Sequence, residues 1–120
     1  MIYGIGIDMI EIARIRRSIG NERFAAFVYS PRERAAFAGD ARRLAGCFAA
    51  KEAFGKALGT GVRSFALSEV SVLRDALGKP YFAFAGRAAA IVREKGLRAL
   101  VTLTNTREYA LANVVLEAEE

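Results

Sequence analysis

The longest helix that the sequence predicts, residues 41–58, constrains the fold more than any other segment. It follows Asp40, a residue type that caps helix N-termini, and it ends where Gly59-Thr60-Gly61 begins. At 1.5 Å per residue the helix is about 27 Å long. Helical spacing from Phe54 places Lys51 inside the apolar stripe, which a solvated surface helix would not do.

The N-terminal segment predicts a buried strand over residues 2–9. Alternation places four large side chains on one face of this strand and two glycines on the other, where they would let another backbone come close. The four are Tyr3, Ile5, Ile7 and Met9, and the glycines are Gly4 and Gly6. Asp8 comes near the end of the strand.

The remaining elements are shorter and follow from caps, turns and periodicity. They predict one α+β domain, residues 1–120, with a mostly antiparallel sheet packed against the long helix. The predicted elements are a helix over 11–18 stopped by Gly20, a capping box at Ser30–Glu33 opening a helix that ends near Gly39, strands Leu67–Arg74 and Tyr81–Phe84, a helix over Arg87–Lys95, and a closing hairpin of Arg98–Thr104 and Tyr109–Glu117.

Composition limits the available chemistry. The chain has no histidine, so catalysis must use carboxylates, lysines, arginines, hydroxyls or water, and any metal should be held by oxygen, magnesium above all. The lone Cys47 excludes an internal disulfide, and no segment predicts a signal peptide or membrane span. A cytoplasmic location fits this pattern. The net charge of +5 suggests a polyanionic partner without identifying it.

Asp8 and Glu52 are the best candidate carboxylate pair, because each stands where its neighbours predict burial. Two plainer interpretations remain open: Asp8 caps the helix over 11–18, and Glu52 forms an i,i+4 ion pair with Lys56. Lys56 with Gly59-Thr60-Gly61 could bind a phosphate, although this segment is also an ordinary helix end and contains no Walker motif.

Arg14 and Arg17 share one face of the helix over 11–18, with Arg16 and Arg23 nearby. They form either a solvated basic face or a docking patch for an acidic partner. Nucleic acid is less favoured, because the helix interleaves no aromatic side chains for base stacking.

Four segments in order, GIGIDMIEIARI, FAAKEAFGKALGTGV, DALGKPYF and TLTNTREYALANVV, resemble the holo-acyl-carrier-protein synthases, the small bacterial 4′-phosphopantetheinyl transferases. The resemblance covers essentially the whole chain. It implies the 4′-phosphopantetheinyl transferase fold and a role in fatty acid biosynthesis. The implied reaction moves 4′-phosphopantetheine from coenzyme A to a serine of apo-acyl carrier protein and releases adenosine 3′,5′-bisphosphate.

The resemblance also implies roles for individual residues. Asp8 and Glu52 would bind magnesium, Lys56 would lie against the pyrophosphate, and Arg14 and Arg17 would meet the acidic carrier protein. It further implies a homotrimer whose active sites lie between subunits, with no membrane or nucleic acid involved. The coenzyme A site would use Gly59, Thr60 and Gly61 of one subunit and Lys79, Pro80, Thr104, Asn105 and Thr106 of its neighbour.

Two positions depart from the family pattern. Asn105 stands where the family usually has histidine, and Cys47 stands where it usually has arginine. For the lost arginine we expect either weaker coenzyme A binding or compensation by Arg42 or Arg43. These departures leave open a non-catalytic relative that binds carrier protein or coenzyme A. A small basic nucleic-acid-binding domain is the rival from another class, and it leaves the KEAFGKALGTG segment unexplained.

Overall fold

The computed structural model describes residues 1–119, so Glu120, the last residue of the predicted domain, lies outside the described residues. Within these residues, five strands and five α-helices follow one another. They are β1 (Ile2–Glu11), α1 (Ile12–Ser18), α2 (Glu22–Val28), α3 (Pro31–Ala36), α4 (Ala41–Leu58), β2 (Val70–Arg74), β3 (Pro80–Phe84), α5 (Gly86–Glu94), β4 (Leu97–Asn105) and β5 (Tyr109–Ala118), with short 3-10 turns at Gly61–Arg63 and Leu67–Glu69.

The strands form two antiparallel sheets. One sheet has the order β1-β5-β4, and the other is the hairpin β2-β3. α4 packs across the three-stranded sheet and supplies much of the core, including the fully buried Ala45, Ala49 and Ala53. The predicted α+β class, with a mostly antiparallel sheet against a long helix, is confirmed.

The bounds of α4 agree with the prediction because both ends carry strong signals. Asp40 Oδ1 accepts a hydrogen bond from Arg43 N at 3.1 Å, and Gly59 ends the helix in the left-handed region with φ 85°. The capping box of Ser30 and Glu33 is also present, although α3 ends at Ala36, before the predicted Gly39. Among the described residues, no helix is long and apolar enough to cross a membrane.

The strand β1 is buried on its glycine face alone, whereas the sequence predicted a buried strand. Ile5, Ile7 and Met9 are 69%, 57% and 58% exposed, whereas Gly6 is buried against α4. A Cβ on Gly4 would lie 2.0 Å from Ala57 O, and one on Gly6 would lie 1.9 Å from Ala53 O. The predicted close backbone approach at the glycines is therefore confirmed, and it brings α4 onto the glycine face instead of the isoleucine face.

Two further elements differ from the predictions. The sequence did not predict α2, whose two turns are too short to show clear periodicity, although Asn21 caps it and Phe24 packs against Phe48. The predicted strand from Leu67 begins only at Val70, because Leu67–Glu69 forms a 3-10 turn. The closing hairpin and the helix that precedes it agree with prediction to within two residues at each end.

Lys51 is fully buried, as its position in the apolar stripe predicted. Its Nζ lies 2.6 Å from Oε1 of Glu33, which is also fully buried, and donates to the carbonyl oxygens of Leu67 and Val70. Oε2 of Glu33 accepts a hydrogen bond from Val72 N at 2.9 Å. This hydrogen-bond network joins Glu33 of α3, Lys51 of α4 and the backbone of β2, and each buried polar group in it has a partner.

Candidate active site

The site is organised around a contact between α4 and β1. Lys56 Nζ lies 3.1 Å from Asp8 Oδ1 and donates a hydrogen bond to Ile7 O at 2.9 Å. Asp8 lies on the glycine face of β1, where α4 passes closely enough for a lysine in its last turns to reach the strand. The side chain of Lys56 remains more than half exposed, which leaves it accessible to a ligand.

Glu52 lies one helical turn before Lys56 and is close enough to Asp8 for the two charges to interact. Partial burial, together with the Asp8 carboxylate, raises the pKa of Glu52, while Lys56 and Arg14 act in the opposite direction. Two carboxylates, a lysine and an arginine therefore share one partly exposed region of the surface.

The structure shows neither of the plainer alternatives, in which Asp8 caps α1 and Glu52 forms an ion pair with Lys56. The N-terminus of α1 has no side-chain cap, so Asp8 does not cap that helix. Within residues 1–119, Lys56 forms its ion pair with Asp8 and not with Glu52. An i,i+4 argument considers one helix alone and cannot anticipate a partner on a strand 48 positions away.

The Gly59-Thr60-Gly61 segment folds back against α4. Gly59 and Gly61 have φ of 85° and 67°, and a Cβ on Gly55 would lie 2.7 Å from Gly61 C. Thr60 Oγ1 lies 3.1 Å from Ser64 Oγ. The segment therefore does more than end the helix. Gly61 makes a turn in the left-handed region, and this turn packs closely on α4 because Gly55 has no side chain.

The residues predicted to come from a neighbouring subunit lie elsewhere on the chain. Lys79 and Pro80 lie at the turn between β2 and β3, and the side chain of Lys79 is exposed. Thr104, Asn105 and Thr106 are exposed at the end of β4, where Asn105 Nδ2 donates to Thr106 O at 3.2 Å. Within residues 1–119, no hydrogen bond or ion pair joins either group to Asp8, Glu52 or Lys56.

The basic face of α1 is present as predicted, because Ile12 and Ile15 are buried while Arg14 and Arg17 are exposed. The charge of Arg14 also reaches Glu52, and the sequence did not indicate this proximity. Arg14 therefore borders the carboxylate site.

Cys47 is buried, with Sγ 3.5 Å from Val72 O. Arg74 is close enough for its charge to act on the thiol. The sequence analysis expected Arg42 or Arg43, and not Arg74, to compensate for Cys47. Arg43 does lie close enough to Arg74 to lower its pKa.

The sequence analysis also missed the pairing of Glu33 with Lys51. It assigned Glu33 only to the capping box, which already gave its side chain a hydrogen-bond partner. Oε1 accepts from both Ser30 N and Lys51 Nζ. The available signal was the buried position of Lys51, which required an anionic partner somewhere in the fold.

Asp8 and Glu52 suit a magnesium ion, because two neighbouring carboxylates of like charge are stabilised by a divalent cation. Among residues 1–119, no group of three or more Asp, Glu or Cys side chains could hold a metal. Magnesium commonly takes one or two protein carboxylates and completes its shell with water and substrate phosphates. The donor set therefore fits magnesium together with a phosphate-bearing ligand.

A small α+β domain with such a site defines a class of phosphate-handling transferases, and comparison with known proteins identifies the family. The family described as the 4′-phosphopantetheinyl transferase superfamily matches residues 4–114, and the chain belongs to it. A Holo-[acyl-carrier-protein] synthase of Lachnoclostridium phytofermentans is 42% identical over 98% of this chain and 97% of its own. One from Azoarcus sp. is 46% identical over 98% of each.

Solved structures agree with this assignment. The crystal structure of holo-[acyl-carrier-protein] synthase from Neisseria meningitidis has a TM-score of 0.89 and 38% identity, covering 98% of this chain and 99% of its own. The Bacillus anthracis enzyme in complex with CoA (3′,5′-ADP) has a TM-score of 0.83 and 32% identity, covering 99% of each. The predicted transferase fold is therefore confirmed.

Proposed function

We propose that this protein transfers 4′-phosphopantetheine from coenzyme A to a serine of apo-acyl carrier protein, giving holo-acyl carrier protein and adenosine 3′,5′-bisphosphate. The observation that carries the proposal is the meeting of Asp8, Glu52 and Lys56 at one partly exposed region of a chain that belongs to this transferase family. The names of its relatives and the coenzyme A complex of one of them support the same reaction.

The reaction develops negative charge on the pyrophosphate and on the departing bisphosphate. Lys56 is held toward the site by Asp8 and by the carbonyl of Ile7, so its ammonium group is already oriented before substrate binds. A magnesium ion held by Asp8 and Glu52 would supply further charge stabilisation at the phosphates. Because these interactions strengthen as charge develops, they favour the transition state over the bound substrate.

The attacking serine hydroxyl must lose a proton. With no histidine in the chain, the acceptor is a carboxylate or an ordered water. We favour a water near the carboxylates, because a carboxylate that holds a metal is a poor base. Gly59, Thr60 and Gly61 would contact coenzyme A beside Lys56.

The direct test is to incubate the protein with coenzyme A, magnesium and an apo-acyl carrier protein and to measure the mass of the carrier. A gain of one phosphopantetheine is expected, and it should disappear with a chelator. A carrier of unchanged mass, with coenzyme A still bound, would favour the non-catalytic relative. Steeply salt-dependent binding to nucleic acid, without any need for magnesium, would favour the rival binding domain.

We propose that residues 1–120 form one domain that assembles as a homotrimer. The support is the open face of the β1-β5-β4 sheet, where Ile5, Ile7 and Met9 are exposed beside partly buried Leu111 and Val115. A face of this kind is commonly covered by another chain. Lys79, Pro80, Thr104, Asn105 and Thr106 of a neighbour would then complete each coenzyme A site. Sedimentation equilibrium should give three times the chain mass.

The basic face of α1 would dock the carrier protein. Arg14 and Arg17 are exposed on that face, and acidic carrier helices would meet them through charge pairs that promote encounter. We also place the protein in the cytoplasm and in fatty acid biosynthesis, which follows from the proposed reaction.

A further inference from the structure

A trough among the helices α1, α2, α3 and α4 has no role in the transfer site described above. Its volume is about 820 Å³, within the range of small-molecule sites. Its apolar lining comes from each of these helices or from residues that directly follow them, namely Ile19, Ala25, Tyr29, Ala35 and Leu44. The trough is therefore large enough to bury most of a small molecule against hydrocarbon.

The floor of the trough, formed by the buried Tyr29 and Leu44, offers no free hydrogen-bonding side chain. Tyr29 is 1% exposed, and its hydroxyl donates to the carbonyl oxygen of Leu44 at 2.7 Å. Within residues 1–119, every buried side-chain nitrogen or oxygen has a hydrogen-bond partner. A sugar, a nucleotide or a peptide would give up hydrogen bonds to water here without recovering them. The floor therefore suits a ligand whose body is hydrocarbon.

Three charged side chains line the trough, and two of them neutralise each other. Arg34 of α3 forms an ion pair with Glu22 of α2 across the trough. Arg16 of α1 is exposed and, within residues 1–119, forms no ion pair. Asp40 borders Arg16 in an adjoining recess, but its Oδ1 caps α4. The trough therefore carries one guanidinium group that is free to bind an anion.

We propose that this trough binds a fatty-acid-class carboxylate, with its aliphatic chain along Ile19, Tyr29 and Leu44 and its carboxylate at Arg16. Hydrocarbon matches a floor without free polar groups, and a carboxylate matches the planar fork of guanidinium donors. A long-chain alcohol would use the floor alone, and acetate would use the arginine alone. The site needs neither coenzyme A nor carrier protein, so it is independent of the proposed function.

Calorimetric titration with unbranched carboxylates from hexanoate to dodecanoate, each below its critical micelle concentration, tests the trough. Each added methylene should tighten binding about fourfold until the trough is full, because each one buries more hydrocarbon. Decanol, which has the chain but no carboxylate, should bind more weakly than decanoate. Affinity that does not rise with chain length would overturn the proposal.

Two variants locate the bound ligand. Arg16→Gln should weaken decanoate binding by about 3- to 10-fold and leave decanol binding unchanged, because one exposed charge contact is lost. Arg93→Gln, at an exposed arginine on α5, is the control for net charge. Ala35→Phe should weaken both ligands by about 10-fold, because Ala35 is exposed at the trough and a larger side chain there displaces hydrocarbon of the ligand. Ala36→Phe, at the next position and outside the trough, is its matched control.

The two variants test the two parts of the site separately. Wild-type affinity for decanoate in both Arg16→Gln and Ala35→Phe would overturn the proposal and place the ligand elsewhere, such as on the open face of the β1-β5-β4 sheet. Weaker binding in Ala35→Phe alone would support the hydrocarbon site and overturn the role of Arg16. Equal losses in Ala35→Phe and Ala36→Phe would also count against the trough. Because these are binding measurements on the protein alone, failure of the carrier-mass assay would reject the transfer reaction and leave this site unaffected.

Discussion

Lys56 reaches across 48 positions of sequence to place its ammonium group 3.1 Å from the Asp8 carboxylate. The contact depends on how closely α4 lies on β1, and that distance is set by Gly4 and Gly6. Any side chain there would collide with the carbonyl oxygens of Ala57 or Ala53. The glycines of the first strand therefore position the site without touching a ligand.

The first prediction follows from that packing. Gly6→Ala should destabilise the fold by about 3 kcal/mol, at the upper end for overpacked cores, and should separate Lys56 from Asp8. Gly20→Ala is the matched control, since its new Cβ would find no atom of another residue nearer than 3.9 Å. The free energy of unfolding, measured by chemical denaturation, and the transfer rate should both fall for Gly6→Ala and not for Gly20→Ala. Equal stability of the two variants would contradict the packing argument.

The second prediction concerns Glu52, whose pKa is raised by burial and by Asp8. A raised carboxyl pKa means that ionised Glu52 destabilises the fold, and this cost is absent below the ordinary value of about 4.3 and complete above the raised value. Glu52→Gln should therefore increase the melting temperature at pH 7, lose this advantage near pH 4, and abolish transfer.

Magnesium provides a separate readout of the same site. Magnesium chloride should increase the melting temperature of the wild type but not that of Glu52→Gln, with sodium chloride of matched ionic strength as the control. An equal shift in both proteins would mean that Glu52 holds no metal.

The sequence predicted the bounds of α4 because Asp40 and Gly59 act locally on the helix ends. It did not predict which face of β1 is buried, because alternation identifies two faces without assigning either to the core. The large apolar side chains lie on the isoleucine face, but α4 packs closely against the glycine face. The candidates Asp8, Glu52 and Lys56 were found from position and residue type, whereas the pairing of Lys56 with Asp8 depends on tertiary packing.

The third prediction concerns Lys51 and Glu33, both fully buried. Lys51→Met should destabilise the protein by about 3–5 kcal/mol, because it leaves the Glu33 carboxylate buried without its counter-ion. Adding Glu33→Gln should recover part of this loss, since the unpaired charge is then removed. Urea denaturation of both single variants and the double variant completes the cycle. Additive losses would show that the two side chains are not coupled.

The fourth prediction concerns acid stability at Glu69. Its carboxylate accepts hydrogen bonds from Ala66 N at 2.9 Å and Arg87 N at 3.0 Å, and these bonds lower its pKa. A lowered pKa contributes stability that is present above the ordinary value of about 4.3 and is lost as pH falls through the folded value. The wild type should lose more stability than Glu69→Gln as pH falls below about 4. Parallel pH profiles of melting temperature would contradict this role.

The last prediction separates Arg14 from Arg17, which share a helix face but differ in their surroundings. Arg14 acts on the charge of Glu52, and no comparable contact is found for Arg17 within residues 1–119. Arg17→Glu should raise the Michaelis constant for carrier protein, leave that for coenzyme A unchanged, and weaken or reverse the effect of salt on carrier affinity. Arg14→Glu should impair turnover as well, because it adds negative charge beside the carboxylates. Steady-state kinetics for each substrate at two salt concentrations distinguishes the residues, and identical behaviour of the two variants would make the whole face a docking patch alone.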